Sequence, residues 1–229
     1  MTGEFIKRFI SSIILIPIVL FFVIKGSIFF SFFILICFIV ASYEWFMMSK
    51  NKSYVYPGFI FIIFSFYTAY YFRIEKDGYL IFLQILSICI LTDIGGYLFG
   101  KIFKGPKLTK ISPNKTFAGM FGGYLLSIMI MSIFFINLDF KFIVALGDVN
   151  SMRSLFSFSS KLNLYGLLLI IAISTASQLG DIIISYFKRL SKIKNTGKII
   201  PGHGGLLDRI DGMIFAFPFS YLIFINWSY

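Results

Sequence analysis

Seven apolar runs follow one another along the chain, at roughly 9–24, 27–45, 54–72, 79–100, 116–138, 162–186 and 212–228. A helix needs about 20 apolar residues to cross the hydrocarbon core of a bilayer, and most of these runs approach that length. In hydrocarbon every backbone N–H and C=O needs an internal partner, so repeated runs of this kind fold as helices. The expected fold class is all-α: a polytopic integral membrane helical bundle of about seven transmembrane helices. Composition agrees. Of 229 residues, 58% are hydrophobic and 14% charged, where soluble domains carry about 25% charged residues. Mean hydropathy is +0.88. An ordinary soluble domain is excluded, and a single membrane-embedded domain over 1–229 fits the length. Within it, residues 1–53 read as an N-terminal helical hairpin and 79–229 as the helices and loops that carry chemistry.

The first run is flanked by Lys7 and Arg8, the charge pattern of a signal peptide. It contains Pro17, lacks a small-residue cleavage site, and leads through Lys25-Gly26 straight into the next run. A retained hairpin is expected instead. Cys37 and Cys89 both fall inside apolar runs and form neither a disulfide framework nor a metal pair.

The formal net charge is +11. On a soluble protein that would suggest nucleic acid. Here the cations lie between apolar runs and report orientation, so no nucleic-acid partner is expected. With the N-terminus in the cytoplasm, six of the 21 Lys and Arg residues face outward: Lys25, Arg73, Lys76, Lys141, Arg153 and Lys161. The other 15 face the cytoplasm. This asymmetry predicts a cytoplasmic N-terminus, an outer C-terminus, and two cytoplasmic basic loops, 101–115 and 187–211. Residues 139–161, Ser-rich from Ser151 to Ser160, are expected to be the longest outer connection.

The chemistry concentrates in 178–212. Asp181 sits in a membrane-grade apolar run. Lys188, Arg189, Lys192, Lys194 and Lys198 come after it. The turn Gly202-His203-Gly204-Gly205 then opens into Leu206-Leu207-Asp208-Arg209-Ile210-Asp211. Asp208 and Asp211 are three apart and would share one helical face. Carboxylates hold a divalent metal, the metal binds phosphate oxygens, and glycine N–H groups can close around the rest. A blander reading pairs Asp181 with Lys188 one helical face away.

Two further elements stand out. Asp93 lies late in the fourth run, followed by Gly95, Gly96 and Gly100. A carboxylate at membrane depth is costly and suggests a site, unless it lies near the interface and pairs with a loop lysine. The loop 101–115 holds five lysines and no acid, and ends in Ser112-Pro113-Asn114-Lys115-Thr116. Two hydroxyls and a point charge at a helix start suit a phosphate.

The stretch Ser185, Phe187, Lys188, Arg189, Lys194, Gly197, Pro201, His203, Gly204, Gly205, Asp208, Arg209 and Asp211 resembles, in register, the signature of the phosphatidate cytidylyltransferases, also called CDP-diglyceride synthases. The elements at Asp93-Ile94-Gly95-Gly96-Tyr97 and Ser112–Thr116 are similar to the family's, as are Arg8-Phe9-Ile10 and Tyr43-Glu44-Trp45. The resemblance implies an integral membrane nucleotidyltransferase in phospholipid biosynthesis. It would turn CTP and phosphatidate into CDP-diacylglycerol and pyrophosphate on the cytoplasmic side of a bacterial inner membrane. It implies catalytic roles for Asp181, Lys188, Arg189, Asp208, Arg209 and Asp211. Asp93, Ser112, Lys115, Thr116, His203, Gly204 and Gly205 would contact substrate. One or two Mg²⁺ ions would be held by Asp181, Asp208 and Asp211. Expected partners are CTP, phosphatidate and bilayer lipid, with a homodimer admitted. His203 is read as a phosphate contact rather than a base, because the attacking phosphate is already anionic.

Three positions depart from the family. Ala118, Ile184 and Asn195 stand where acids are usual. Their loss is expected to raise the Mg²⁺ requirement, with Ile184 packing against a neighbouring helix or lipid. The rival readings are a CTP-dependent lipid kinase, a silenced family member, or a transporter using Asp93 and Asp181. A transporter should show paired broken helices in two repeats, which the sequence lacks.

Overall fold

The computed structural model describes residues 17–75, 78–109, 111–146, 149–197, 199 and 204–227. Residues 17–25 are helical. They are followed by α1 (Ser27–Ser49), α2 (Val55–Ile74), α3 (Gly78–Phe103), α4 (Phe117–Leu146), α5 (Val149–Leu190), the one-turn α6 (Leu207–Ile210) and α7 (Met213–Trp227). Four helical stretches are long and apolar enough to cross a membrane: Ser27–Ser49, Val55–Ile74, Tyr79–Phe103 and Gly166–Leu190. Phe117–Ser132 and Met213–Ile225 are shorter apolar helices. Among the described residues there is no β-strand. The fold is an all-α polytopic membrane bundle.

Within the described residues the apolar runs correspond to helices, residues 9–16 of the first lying outside them, and the stretch expected as the longest outer connection, 139–161, is helical on both sides of 147–148. The backbone is helical to Leu146 and again from Val149. That stretch has no proline and one glycine, Gly147, so little in it breaks a helix.

The chain forms two compact units: residues 1–85 with 179–229, and residues 86–178. In the first, α1 packs on α2, α2 on α7, and α1 on α6. Its core joins Ala41, Trp45, Met48, Ile62, Ile184, Leu207 and Ile214. Trp45 anchors the α1–α2 hairpin. Its Nε1 donates to the Val55 carbonyl at 3.1 Å, and its ring meets Phe187 edge-on with centroids 5.2 Å apart. Residue 58 must be glycine there, because a Cβ would overlap the indole. At the other end of the hairpin Arg73 caps 17–25, donating from Nε to the Val23 carbonyl at 2.7 Å. Ile28, Phe32, Leu35 and Ile39 on α1 are exposed, as a lipid-facing stripe should be.

In the second unit α3 and α4 meet backbone to backbone. A Cβ on Gly95 would collide with the Gly122 carbonyl, and one on Gly119 would lie 2.6 Å from the Gly96 carbonyl. Small residues let membrane helices approach this closely, and hydroxyls then bond across them. Thr92 donates to Ser174 at 2.8 Å, and Tyr124 and Thr175 share a hydrogen bond of 3.0 Å.

Candidate active site

The site grows from the way α5 ends. The Ile193 N–H bonds to the Lys188 carbonyl and the Lys192 N–H to the Arg189 carbonyl, both at 3.0 Å. Lys192 has φ +56°. This is a Schellman stop with a lysine in the left-handed position that glycine usually fills. It turns the chain sharply back toward α1. Ser191 then donates to the Met48 carbonyl at 2.7 Å and accepts from the Tyr54 hydroxyl at 2.9 Å.

Two carboxylates gather the loop between α5 and α6. Asp208 accepts the Thr196 N–H at 2.9 Å and the Gly205 N–H at 3.0 Å on Oδ2, and the Lys188 ammonium at 2.9 Å on Oδ1. Glu44, on α1, accepts the Leu206 N–H at 2.9 Å on Oε1. Its Oε2 accepts the Leu207 N–H and the Thr196 hydroxyl, each at 2.8 Å. Gly204 and Gly205 are glycines for this reason. A Cβ on Gly204, whose φ is +91°, would lie 2.8 Å from Asp208 Oδ2, and one on Gly205 would overlap Glu44 and Thr196. The Gly205 N–H is thus spent on Asp208, not left pointing outward.

Lys188 is the centre of the charge cluster. Its Nζ lies 2.9 Å from Asp208 and 4.0 Å from Asp211, with all three side chains largely buried. Asp211 continues the helical backbone of α6, so the three-residue spacing does put both acids on one side. Asp211 also accepts the Gly212 N–H at 3.0 Å. Lys188, by spacing a candidate partner for Asp181, therefore serves Asp208. Asp181 accepts from Ser185 at 3.3 Å. Asp181, Ser185 and Lys188 keep the spacing that lines one helical face. Next to Asp181, a Cβ on Gly180 would lie 2.7 Å from the Asp211 carbonyl, so α5 crosses tightly over the Asp211 backbone.

The remaining candidates have other surroundings. Arg189 and Arg209 are exposed, Arg189 donating to the Ile193 carbonyl at 3.3 Å. His203 lies outside the described residues. In the second unit, Asp93 is on an exposed side of α3. There the loop before α4 closes through a backbone bridge between Lys107 and Thr116. Thr116 caps α4 by accepting the Gly119 N–H at 3.1 Å, which leaves its hydroxyl proton free to donate. The Ser112 N–H goes to the Thr109 hydroxyl at 3.2 Å. Of the three departures, Ile184 is 4% exposed and part of the core. Asn195 lies against Gly204, close to Asp208.

Glu44 and Thr196 are the residues that sequence reasoning missed. Glu44 offered one signal: a carboxylate inside an apolar run must find partners.

Two carboxylates converging on one cationic centre are hard oxygen donors of the kind Mg²⁺ takes. That ion often uses one or two carboxylates and fills its shell with water and substrate phosphate. Among the described residues no group of three or more His, Cys, Asp or Glu is gathered. The donor set therefore fits Mg²⁺ as a two-carboxylate site.

The "Cytidylyltransferase family" model matches residues 6–76 and 58–226. Proteins named phosphatidate cytidylyltransferase are similar. The one from Staphylococcus epidermidis is 34% identical over 195 residues, and that of Staphylococcus haemolyticus 33% over 195. That of Staphylococcus aureus is 33% identical over 205 residues. Each alignment covers 82% of this chain and 66% of the relative. The family model spans nearly all of the sequence, and the buried cluster falls within its match: the chain belongs to the cytidylyltransferase family.

Proposed function

We propose that this chain is a phosphatidate cytidylyltransferase of the bacterial inner membrane, working on the cytoplasmic side. The observation that carries the reading is the buried Lys188–Asp208–Asp211 cluster, placed where a membrane helix ends and a cationic loop begins. A phosphate oxygen of phosphatidate attacks the α-phosphorus of CTP. The bond from that phosphorus to the β-bridging oxygen breaks, and its electron pair leaves with pyrophosphate. No base is needed. Lys188, with the exposed Arg189 and Arg209, stabilises charge on the transferring and departing groups. The resemblance assigns nucleotide positioning to Ser112, Thr116 and the 202–205 turn with His203, Gly204 and Gly205, charge stabilisation also to Lys115, and a substrate contact to Asp93. The resemblance assigns Mg²⁺ to Asp181, Asp208 and Asp211; of these, Asp208 and Asp211, which share the Lys188 cluster, would hold it, and it would supply charge neutralisation between the reacting phosphates.

Labelled CTP tests this. Purified protein with phosphatidate and Mg²⁺ should move an α-phosphorus label into lipid and release the γ-label in pyrophosphate. A γ-label found in lipid would identify a CTP-dependent lipid kinase and overturn the reading. Sidedness has its own test. A single cysteine at Lys194 should react with impermeant reagent from the cytoplasmic side of sealed vesicles, and labelling from the outer side would reverse the orientation.

A further inference from the structure

We propose that Glu44 is a positioning residue of the transfer reaction, acting from α1 through the backbone of the signature loop. The idea rests on the cytidylyltransferase reading, but its geometry stands by itself. Glu44 is 1% exposed. Its three hydrogen bonds, all 2.8–2.9 Å, reach Thr196 on one side of the loop and Leu206 and Leu207 on the other. The loop is wrapped on the carboxylate so closely that a Cβ on Gly197 would lie 2.6 Å from Oε1.

Thr196 also gives its N–H to Asp208, and so does Gly205, next to Leu206. The two carboxylates thus share one clasp. Glu44 fixes the loop base, the loop base fixes Asp208, and Asp208 fixes Lys188. Glu44 touches neither Asp211 nor Lys188 through any of its three bonds, so its effect on the reaction passes through the loop. A bond network of this kind is how rigid elements hold a constellation in its productive geometry.

The chemistry of the carboxylate predicts an order among variants. Oε2 accepts two donors and Oε1 one. Glutamine keeps an oxygen for the pair at Oε2 and sets its NH₂ against one N–H. Aspartate keeps the charge but is one methylene short, and alanine removes all three acceptors. Glu44→Gln should therefore stay nearest to wild type.

The test has two readouts. Steady-state kinetics should show Glu44→Ala and Glu44→Asp losing about 100-fold in kcat, the size expected for misplacement of about 1 Å. KM for phosphatidate should stay within about threefold, because a positioning residue that misplaces the charge cluster lowers kcat more than it weakens binding. Glu44→Gln should recover at least about tenfold of that loss. Trypsin reads the clasp without any turnover, since Lys192 and Lys194 are exposed on the loop. Cleavage there should be faster in Glu44→Ala and Glu44→Asp than in Glu44→Gln, while thermal aggregation of the membrane body stays close to wild type. If Glu44→Ala keeps wild-type kcat, or if Glu44→Gln is no better than Glu44→Ala in both readouts, the proposal is overturned. If the wild type makes no CDP-diacylglycerol while the trypsin order holds, the proposed activity has failed and the clasp has not.

Discussion

Asp208→Asn should abolish CDP-diacylglycerol formation and open the loop base, whereas Asp211→Asn should lose comparable activity with the loop intact. From spacing alone the two acids look equivalent, but their surroundings differ. Asp208 carries three donors, two of them backbone N–H groups from both ends of the loop. An asparagine there can keep one oxygen on the two N–H groups, but its NH₂ then faces the Lys188 ammonium, donor against donor. The alternative flip leaves both N–H groups unpaired. Either way Lys188 loses its nearest counter-charge in a buried setting, a loss of roughly 3–5 kcal/mol for a broken buried pair. Asp211 lies farther from the same ammonium, 4.0 Å, and accepts the local Gly212 N–H, so its amide should cost less in structure. Turnover assays should show both single variants near background, and the double variant should cost little more than Asp208→Asn alone. Mn²⁺ binding followed by magnetic resonance should weaken in each. Trypsin should separate them, with fast loop cleavage in Asp208→Asn and wild-type cleavage in Asp211→Asn. Near-wild-type turnover in Asp208→Asn would sink the assignment of this cluster to the chemistry.

Much of the helical layout was legible because bilayer thickness sets run length, and few other structures satisfy the backbone in lipid. The helical backbone of 139–146 and 149–161 was not, because its serines and charges do not mark a bilayer-spanning run. The bond from Lys188 to Asp208 was hidden for a different reason. Helical spacing ranks neighbours within one helix, and Asp181 is such a neighbour, yet Asp208 lies 20 residues on and reaches Lys188 through the loop. Glu44 shows the same limit more strongly. Its partners are 152 to 163 residues away in the chain, a separation that no local pattern encodes. Thr116, by contrast, carried a local signal: a threonine just before an apolar run is a helix cap, and it caps α4.

Ile184→Glu is the second large effect, and it follows from the packing that the sequence suggested for Ile184. Three residues after Asp181, a glutamate could reach the acid's helical face only if the space were open. It is not. Ile184 is 4% exposed and packs with Ala41, Trp45, Met48, Leu207 and Ile214 in the core that supports α6. A carboxylate there is surrounded by aliphatic and aromatic side chains, and an unpaired buried charge costs several kcal/mol. The damage should spread to the site, because Leu207 belongs to the same core and donates its N–H to Glu44. Ile184→Glu should therefore extract as an aggregating, inactive species, with thermal aggregation shifted well below wild type. Ile184→Val, which trims one methylene at a cost of roughly 0.5–1.5 kcal/mol, should keep turnover and its Mg²⁺ dependence. That contrast separates packing from charge at a single position. The opposite result would be a well-behaved Ile184→Glu protein that works at lower Mg²⁺ than wild type. It would mean that the side chain at 184 reaches the metal acids, and that the core around α6 yields more readily than its burial implies.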